Sequence, residues 1–156
     1  MSPPAELYAI SLWQPWASFV AVGIKPFETR VWAPPKWLIG KRIAIHAAKR
    51  AVNGDDRAWA AQHGVVDLPL GAIVCTALLT AAYRCGDATS KTLCRILENH
   101  GALPVLAGAE VRELPTDEFG DYAVARWAWR LAAVETLNPP IFARGAQGLW
   151  KWQPAS

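Results

Sequence analysis

The chain has 156 residues, 53% hydrophobic and 19% charged, with a formal net charge of +3. That length and apolar content support a single domain spanning 1–156 with a core of its own, and they exclude a disordered chain or one that needs disulfides to fold. The net charge is too small to announce a polyanionic partner by itself, so its distribution has to carry the argument.

Met1 to Glu6 form an expected flexible N-terminus without the basic and apolar regions of a signal peptide. Leu7 to Leu12 (LYAISL) reads as a short strand buried on both faces. A helix is expected from Pro15 to Val22, with proline suited to a first position and Trp16, Phe19 and Val20 at helical spacing. Gly23 ends it, because glycine takes the left-handed conformation that helix ends often need. Glu28 to Trp32 alternates as a strand, Ala33-Pro34-Pro35-Lys36 is a rigid loop, and Arg42 to Ala47 (RIAIHA) is a further strand.

Asn53 to His63 reads as a capped helix closed by Gly64. Ala72 to Ala82 is the strongest apolar run, and its β-branched residues favour a strand. Asp87 to His100 is expected to be a third helix with Leu93, Ile96 and Leu97 on its apolar stripe. The stretch from Ala102 to Asp121 is irregular and acidic, and is expected to be a mobile, solvated loop. A strand then runs to Leu137, broken at Asn138-Pro139-Pro140, and a closing strand carries Trp150 and Trp152. The expected class is α+β: a mixed sheet of five to six strands curled into a small β-barrel, with helices outside.

The cations are unevenly placed. Lys25, Arg30, Lys36, Lys41, Arg42, Lys49 and Arg50 face the single acid Glu28 in that stretch. Cys75, Cys85 and Cys94 show no C-x-x-C spacing and read as free thiols of a reducing, cytoplasmic protein. No apolar run is long enough for a membrane span, so no membrane partner is expected. No His, Cys, Asp and Glu spacing fits a metal, and no cofactor is expected.

Lys25, Glu28 and Arg30 are the residues whose pattern carries chemistry. Glu28 and Arg30 share a strand face, and Lys25 on the preceding turn can reach it. Such a group could hold a phosphate or a base edge, or activate water if burial shifts a pKa. The alternative is a surface ion-pair set worth about 0–1 kcal/mol. Trp13, Gln14 and Trp32 flank it, and two indoles with an amide could sandwich a base and bond its edge, or simply anchor the helix. His46 either satisfies a backbone group or serves as a base or phosphate contact. Lys49 and Arg50, like Lys41 and Arg42, are candidates for holding phosphates.

Together ISLWQPWAS (Ile10 to Ser18), GIKPFETRVW (Gly23 to Trp32), IAIHAAKR (Ile43 to Arg50), LPLGAIV, FGDYAVARWAW and RGAQGLW resemble the ASCH domain family of the PUA-like superfamily. The resemblance implies a PUA-like β-barrel and a role in binding nucleic acid, RNA rather than DNA, or a modified nucleoside. It implies a cleft lined by the G-x-K-x-x-E-x-R element: Gly23, Lys25, Glu28 and Arg30. Some relatives are ribonucleases, and others are amidohydrolases acting on an acylated cytidine. The alternative reading is therefore a metal-independent hydrolase with Lys25, Glu28 and Arg30 as catalytic residues. Against the amidohydrolase, Glu28 stands where those enzymes carry threonine, and Ala72 to Ala82 lacks the downstream carboxylate.

Overall fold

The computed structural model describes residues 5–85, 93–97, 99–100, 103–104, 111–113, 117–123 and 125–154. In chain order the elements are β1 (Leu7–Leu12), α1 (Trp16–Ala21), β2 (Phe27–Arg30), a 3-10 turn (Lys36–Leu38), β3 (Arg42–Ala47) and α2 (Gly54–Gln62). There follow β4 (Ala72–Cys85), β5 (Leu93–Leu97), β6 (Asn99–His100), β7 (Leu103–Pro104), β8 (Val111–Glu113), β9 (Trp127–Phe142) and β10 (Trp150–Trp152). The chain divides into two compact units. The first comprises Met1–Ile24, Arg42–Ala77 and Ala133–Ser156, and the second Lys25–Lys41 and Leu78–Ala132. The long strands β4 and β9 contribute residues to both.

In the first unit β1 and β3 run parallel, with Tyr8 opposite Ile43 and Leu12 opposite Ala47. β10 joins β1 antiparallel, and the start of β4 flanks β3. Ala9, Ile10, Ile43, Ala44, Ile45, Ile73 and Cys75 are all inaccessible to solvent. Central strands covered on both faces have no use for polar alternation, which is why LYAISL and AIVC read as apolar runs.

Helix α1 buries Ala17, Ser18, Phe19, Val20 and Ala21. The Ser18 amide donates to Gln14 Oε1 at 3.0 Å, so a side chain satisfies a first-turn donor that lacks a helical partner. Gly23, at φ +85°, closes the helix as its position requires. In α2 the Asn53 side chain accepts from the Asp56 amide at 2.7 Å, and Asp55 and Asp56 lie at the positive end of the helix. Ala60 is the buried residue of α2, and the Trp59 ring supplies aromatic contacts. Trp59 packs against Trp16, Phe19 and His63 at centroid distances of 6.1, 5.1 and 5.7 Å.

In the second unit β2 pairs antiparallel with β9, Phe27 opposite Arg130 and Arg30 opposite Trp127. The end of β4 pairs with β5, and β5 with β8. β6 and β7 pair with each other. Phe27, Ala81, Tyr83, Cys85 and Ala128 form a core against which Tyr122 packs. Trp129, fully buried, takes Trp32 edge-on at 4.9 Å.

The α+β class and the mixed sheet stand as expected, but three expectations change. In neither unit do the pairings of the described strands return to their starting strand, so no barrel closes. β10 and β8, three residues each, end their pairings as short edge strands, a way of blunting an edge without closing it. The segment expected as a third helix carries strand β5 at Leu93–Leu97, where the antiparallel edge of β4 captures it. Five residues with Leu93, Ile96 and Leu97 apolar fit either period, and pairing decides. The strand β9 also continues through Asn138-Pro139-Pro140. Its outer half is largely exposed, so proline's missing N–H removes no buried ladder bond. The expected loose end falls mostly on residues 1–4, outside the described residues, as does much of the 102–121 stretch.

Candidate nucleic-acid interface

The triad singled out in the sequence does come together, all of it in the second unit. The Lys25 side chain is 1% exposed, and its Nζ lies 3.1 Å from Glu28 Oε1 and donates to the Phe27 carbonyl. Glu28 Oε1 also accepts from the Thr29 amide at 2.9 Å. Glu28 Oε2 lies 3.3 Å from Arg30 Nη2. One carboxylate therefore sits between two cations, leaving one net positive charge. Arg30, with its side chain 22% exposed, is the member that reaches solvent. Removing ions from water costs several kcal/mol each, and the attraction offsets that cost only when the remaining donors and acceptors are engaged. Here they are. This arrangement is a buried ion cluster with one outward arm, and the surface-pair alternative does not describe it.

The same unit fixes part of the acidic stretch. Asp117 Oδ1 accepts from the amides of Phe119 and Gly120 at 2.9 and 3.1 Å, and its Oδ2 accepts from the Tyr122 hydroxyl at 2.9 Å. Burial and the Asp117 charge push the Tyr122 phenol well above its ordinary range, so it stays a donor. The Asp121 amide donates to Thr29 Oγ1 at 3.0 Å, and Arg126 Nη2 to the Thr29 carbonyl at 3.2 Å. Residues 117–123 are thus a turn docked on β2, where a solvated loop was expected. Gly120 is required there, since a Cβ would meet the Tyr122 ring at 2.8 Å. Trp32 is committed to Trp129, whose Nε1 donates to the Trp32 carbonyl at 3.3 Å.

The remaining predicted residues belong to the first unit. The parallel pair β1/β3 continues one step past its end, where the Ala48 amide donates to the Leu12 carbonyl at 2.8 Å. That step brings the residues following each strand together. The Arg50 guanidinium lies 3.6 Å from the centroid of the Trp13 ring, and Trp13 is 56% exposed. Lys49 is exposed beside Arg50 in the chain. A planar cation on an indole face is a favourable electrostatic contact and a flat surface that another ring can extend.

Gln14 is not part of that surface. It is buried, and its Nε2 donates to Ser18 Oγ at 2.7 Å and to the Pro69 carbonyl at 2.9 Å. With its amide engaged at both ends it holds α1 to the 67–69 loop. Arg42 is likewise internal to its unit. Its Nη1 donates to Thr76 Oγ1 at 3.0 Å and to the Ala133 carbonyl at 2.9 Å, with Glu135 3.5 Å from Nη2. It ties strands together. Cys75, beside Thr76, is buried, and burial pushes its thiol up to about 12.

His46 satisfies backbone, the plainer of its two expected roles. Its Nε2 lies 2.8 Å from the Ala143 carbonyl, which can only accept, and its Nδ1 3.0 Å from Ser11 Oγ. Burial lowers its pKa against the pull of the Ala143 bond. Ser11 Oγ also meets the Ala146 carbonyl and Trp150 Nε1, both at 3.2 Å. A Cβ on Gly145 would lie 2.4 Å from His46 Cε1. Ser11, Gly145 and Trp150 were missed in the sequence, and the one signal for them was the RGAQG glycine pair. They form a latch holding the 143–148 segment against β1 and β3.

Among the described residues no helix is long and apolar enough to cross a membrane, and no three His, Cys, Asp or Glu side chains gather to hold a metal ion. No curated protein matches the chain significantly. The family model of the ASCH domain matches residues 10–140, which include the buried triad, the Trp13–Arg50 stack and, of the latch, Ser11 and His46. The chain belongs to the ASCH domain family.

Proposed function

We propose that the protein binds RNA, as its family membership suggests, through two separate sets of contacts. Trp13, Lys49 and Arg50 supply them on the first unit, and Arg30, the outward arm of the Gly23–Arg30 element, on the second. The observation that carries this reading is the Arg50 guanidinium stacked 3.6 Å over an indole that is itself 56% exposed. A base adds to such a stack through its π-face while the cations neutralise phosphates, and base–aromatic stacking contributes about 1–3 kcal/mol per base. A modified nucleoside would use the same stacking face.

The chemistry of the buried triad favours holding RNA over cutting it. A general base has to reach the proton it removes. Lys25 Nζ is enclosed and donates to Phe27 and Glu28, while Glu28 accepts from Lys25, Thr29 and Arg30. On this reading Lys25 and Glu28 aim Arg30, and Gly23 turns the chain toward it. The test is a titration of labelled single-stranded RNA by fluorescence anisotropy at several salt concentrations. Affinity is expected to fall with salt at a slope of about −0.7 per neutralised phosphate. Binding that is absent at low salt, or indifferent to salt, overturns the reading. RNA cleavage that a folded Lys25→Met variant loses would favour the hydrolase instead.

A further inference from the structure

The second unit carries another exposed indole that the triad does not use. Trp37 sits at the centre of the 3-10 turn Lys36–Leu38 and is 49% exposed. Its neighbour Leu38 is 1% exposed and anchors the turn in the core. The backbone that follows it is hydrogen-bonded. The Leu38 amide donates to the Pro35 carbonyl at 2.9 Å, and the Lys41 amide to the Leu38 carbonyl at 3.0 Å. The Gly40 amide donates to the Leu79 carbonyl at 2.7 Å, and the Leu79 amide returns to the Lys41 carbonyl at 3.0 Å. Pro34 and Pro35 stiffen the approach. An apolar ring held outward on so fixed a turn loses little freedom when something stacks on it.

Its surroundings are cationic. Lys41 Nζ lies 5.3 Å from the Trp37 ring centroid, and Lys36 is exposed in the same turn. Residues 29–54 contain no Asp or Glu. The exposed chain neighbours of Trp37 are thus Lys36, Gly40 and Lys41, where an apolar protein-docking patch would have aliphatic side chains.

From this we infer that Trp37, with Lys36 and Lys41, is a second stacking platform for single-stranded RNA, independent of Trp13 and Arg50. The inference rests on the RNA-binding reading above. A nucleotide stacks its base on Trp37, and the two ammonium groups take the flanking phosphates. Each platform holds its own stretch of strand, so loss of one leaves oligonucleotides bound at the other.

Anisotropy titrations of single-stranded RNA oligonucleotides of increasing length test it, using wild type, Trp37→Ala, Trp37→Phe and Arg50→Ala. Unchanged thermal midpoints check folding. Trp37→Ala is expected to remove one of two binding steps in the titration, while Trp37→Phe, which keeps a ring, retains both. Lys41→Ala is expected to reduce the salt slope by about 0.7. If Trp37→Ala binds every length like wild type while Arg50→Ala is weakened, the second platform is overturned and the RNA-binding reading stands. If wild type binds no RNA at low salt, both are overturned.

Discussion

Two cations from one basic stretch of sequence meet opposite fates. Lys25 is enclosed in the second unit, bonded to Glu28 and the Phe27 carbonyl. Arg50 stands in solvent on the first unit, laid over Trp13. The difference is one of compensation. Lys25 is balanced by a carboxylate inside the fold and its charge is spent there. Arg50 is paired with a ring, which stabilises a cation without cancelling its charge, so the charge remains available to a phosphate. Arg42 belongs with Lys25, since Thr76, the Ala133 carbonyl and Glu135 hold it. Lys36, Lys41 and Lys49 are exposed like Arg50. A basic run is therefore two populations, one that holds the fold and one exposed to solvent.

The sharpest way to break this comparison is to unpair the buried side. Glu28→Ala leaves the Lys25 charge enclosed without its carboxylate and is expected to cost about 3–5 kcal/mol in a denaturant titration. Lys25→Met is expected to cost less, because Glu28 keeps Arg30 and the Thr29 amide. A larger loss for Lys25→Met would mean the carboxylate is the expendable partner. Next in size, Gly145→Ala drives a methyl into His46 and is expected to destabilise by about 1–3 kcal/mol, read from the same titration. On the exposed side Arg50→Ala should change stability by less than about 0.5 kcal/mol, yet weaken RNA binding about tenfold.

The latch gives a pH signature. The folded pKa of His46 is lowered by burial, so the unfolded chain binds its proton more tightly. Stability from this group is present above the unfolded value of about 6.5 and is lost as pH falls through the lowered folded value. Thermal midpoints measured across that range should drop on acidification, and His46→Gln should flatten that part of the profile. The smallest expected effect is chemical. Cys75, buried and pushed up to about 12, should resist alkylation at neutral pH in the native state and react once the chain is unfolded.

Much of this was legible in the sequence. The alternation of Glu28 and Arg30 placed both on one face, and the chain does bring Lys25 to them. Asn53 capping α2 and Gly23 closing α1 were readable because their chemistry is local. What was hidden depends on distant partners. Gln14 looks available in sequence, and only the Pro69 carbonyl, 55 positions away, shows where its amide is used. Ser11, His46 and Trp150 meet across 139 positions at the widest, through β-pairing that no local pattern announces. Asp117 read as solvated acid because its own turn, and the Tyr122 hydroxyl it receives, form only once the segment docks on Thr29.

The central claim is that outward cations bind RNA and enclosed ones hold the fold. It is tested most directly by titrating one labelled single-stranded RNA with Arg50→Ala and Lys25→Met side by side, with thermal midpoints for both. The account predicts that Arg50→Ala loses about tenfold in affinity at an unchanged midpoint. It predicts that Lys25→Met melts earlier and, while folded, loses less RNA affinity than Arg50→Ala. Wild-type affinity in Arg50→Ala, with binding lost in a folded Lys25→Met, would contradict it.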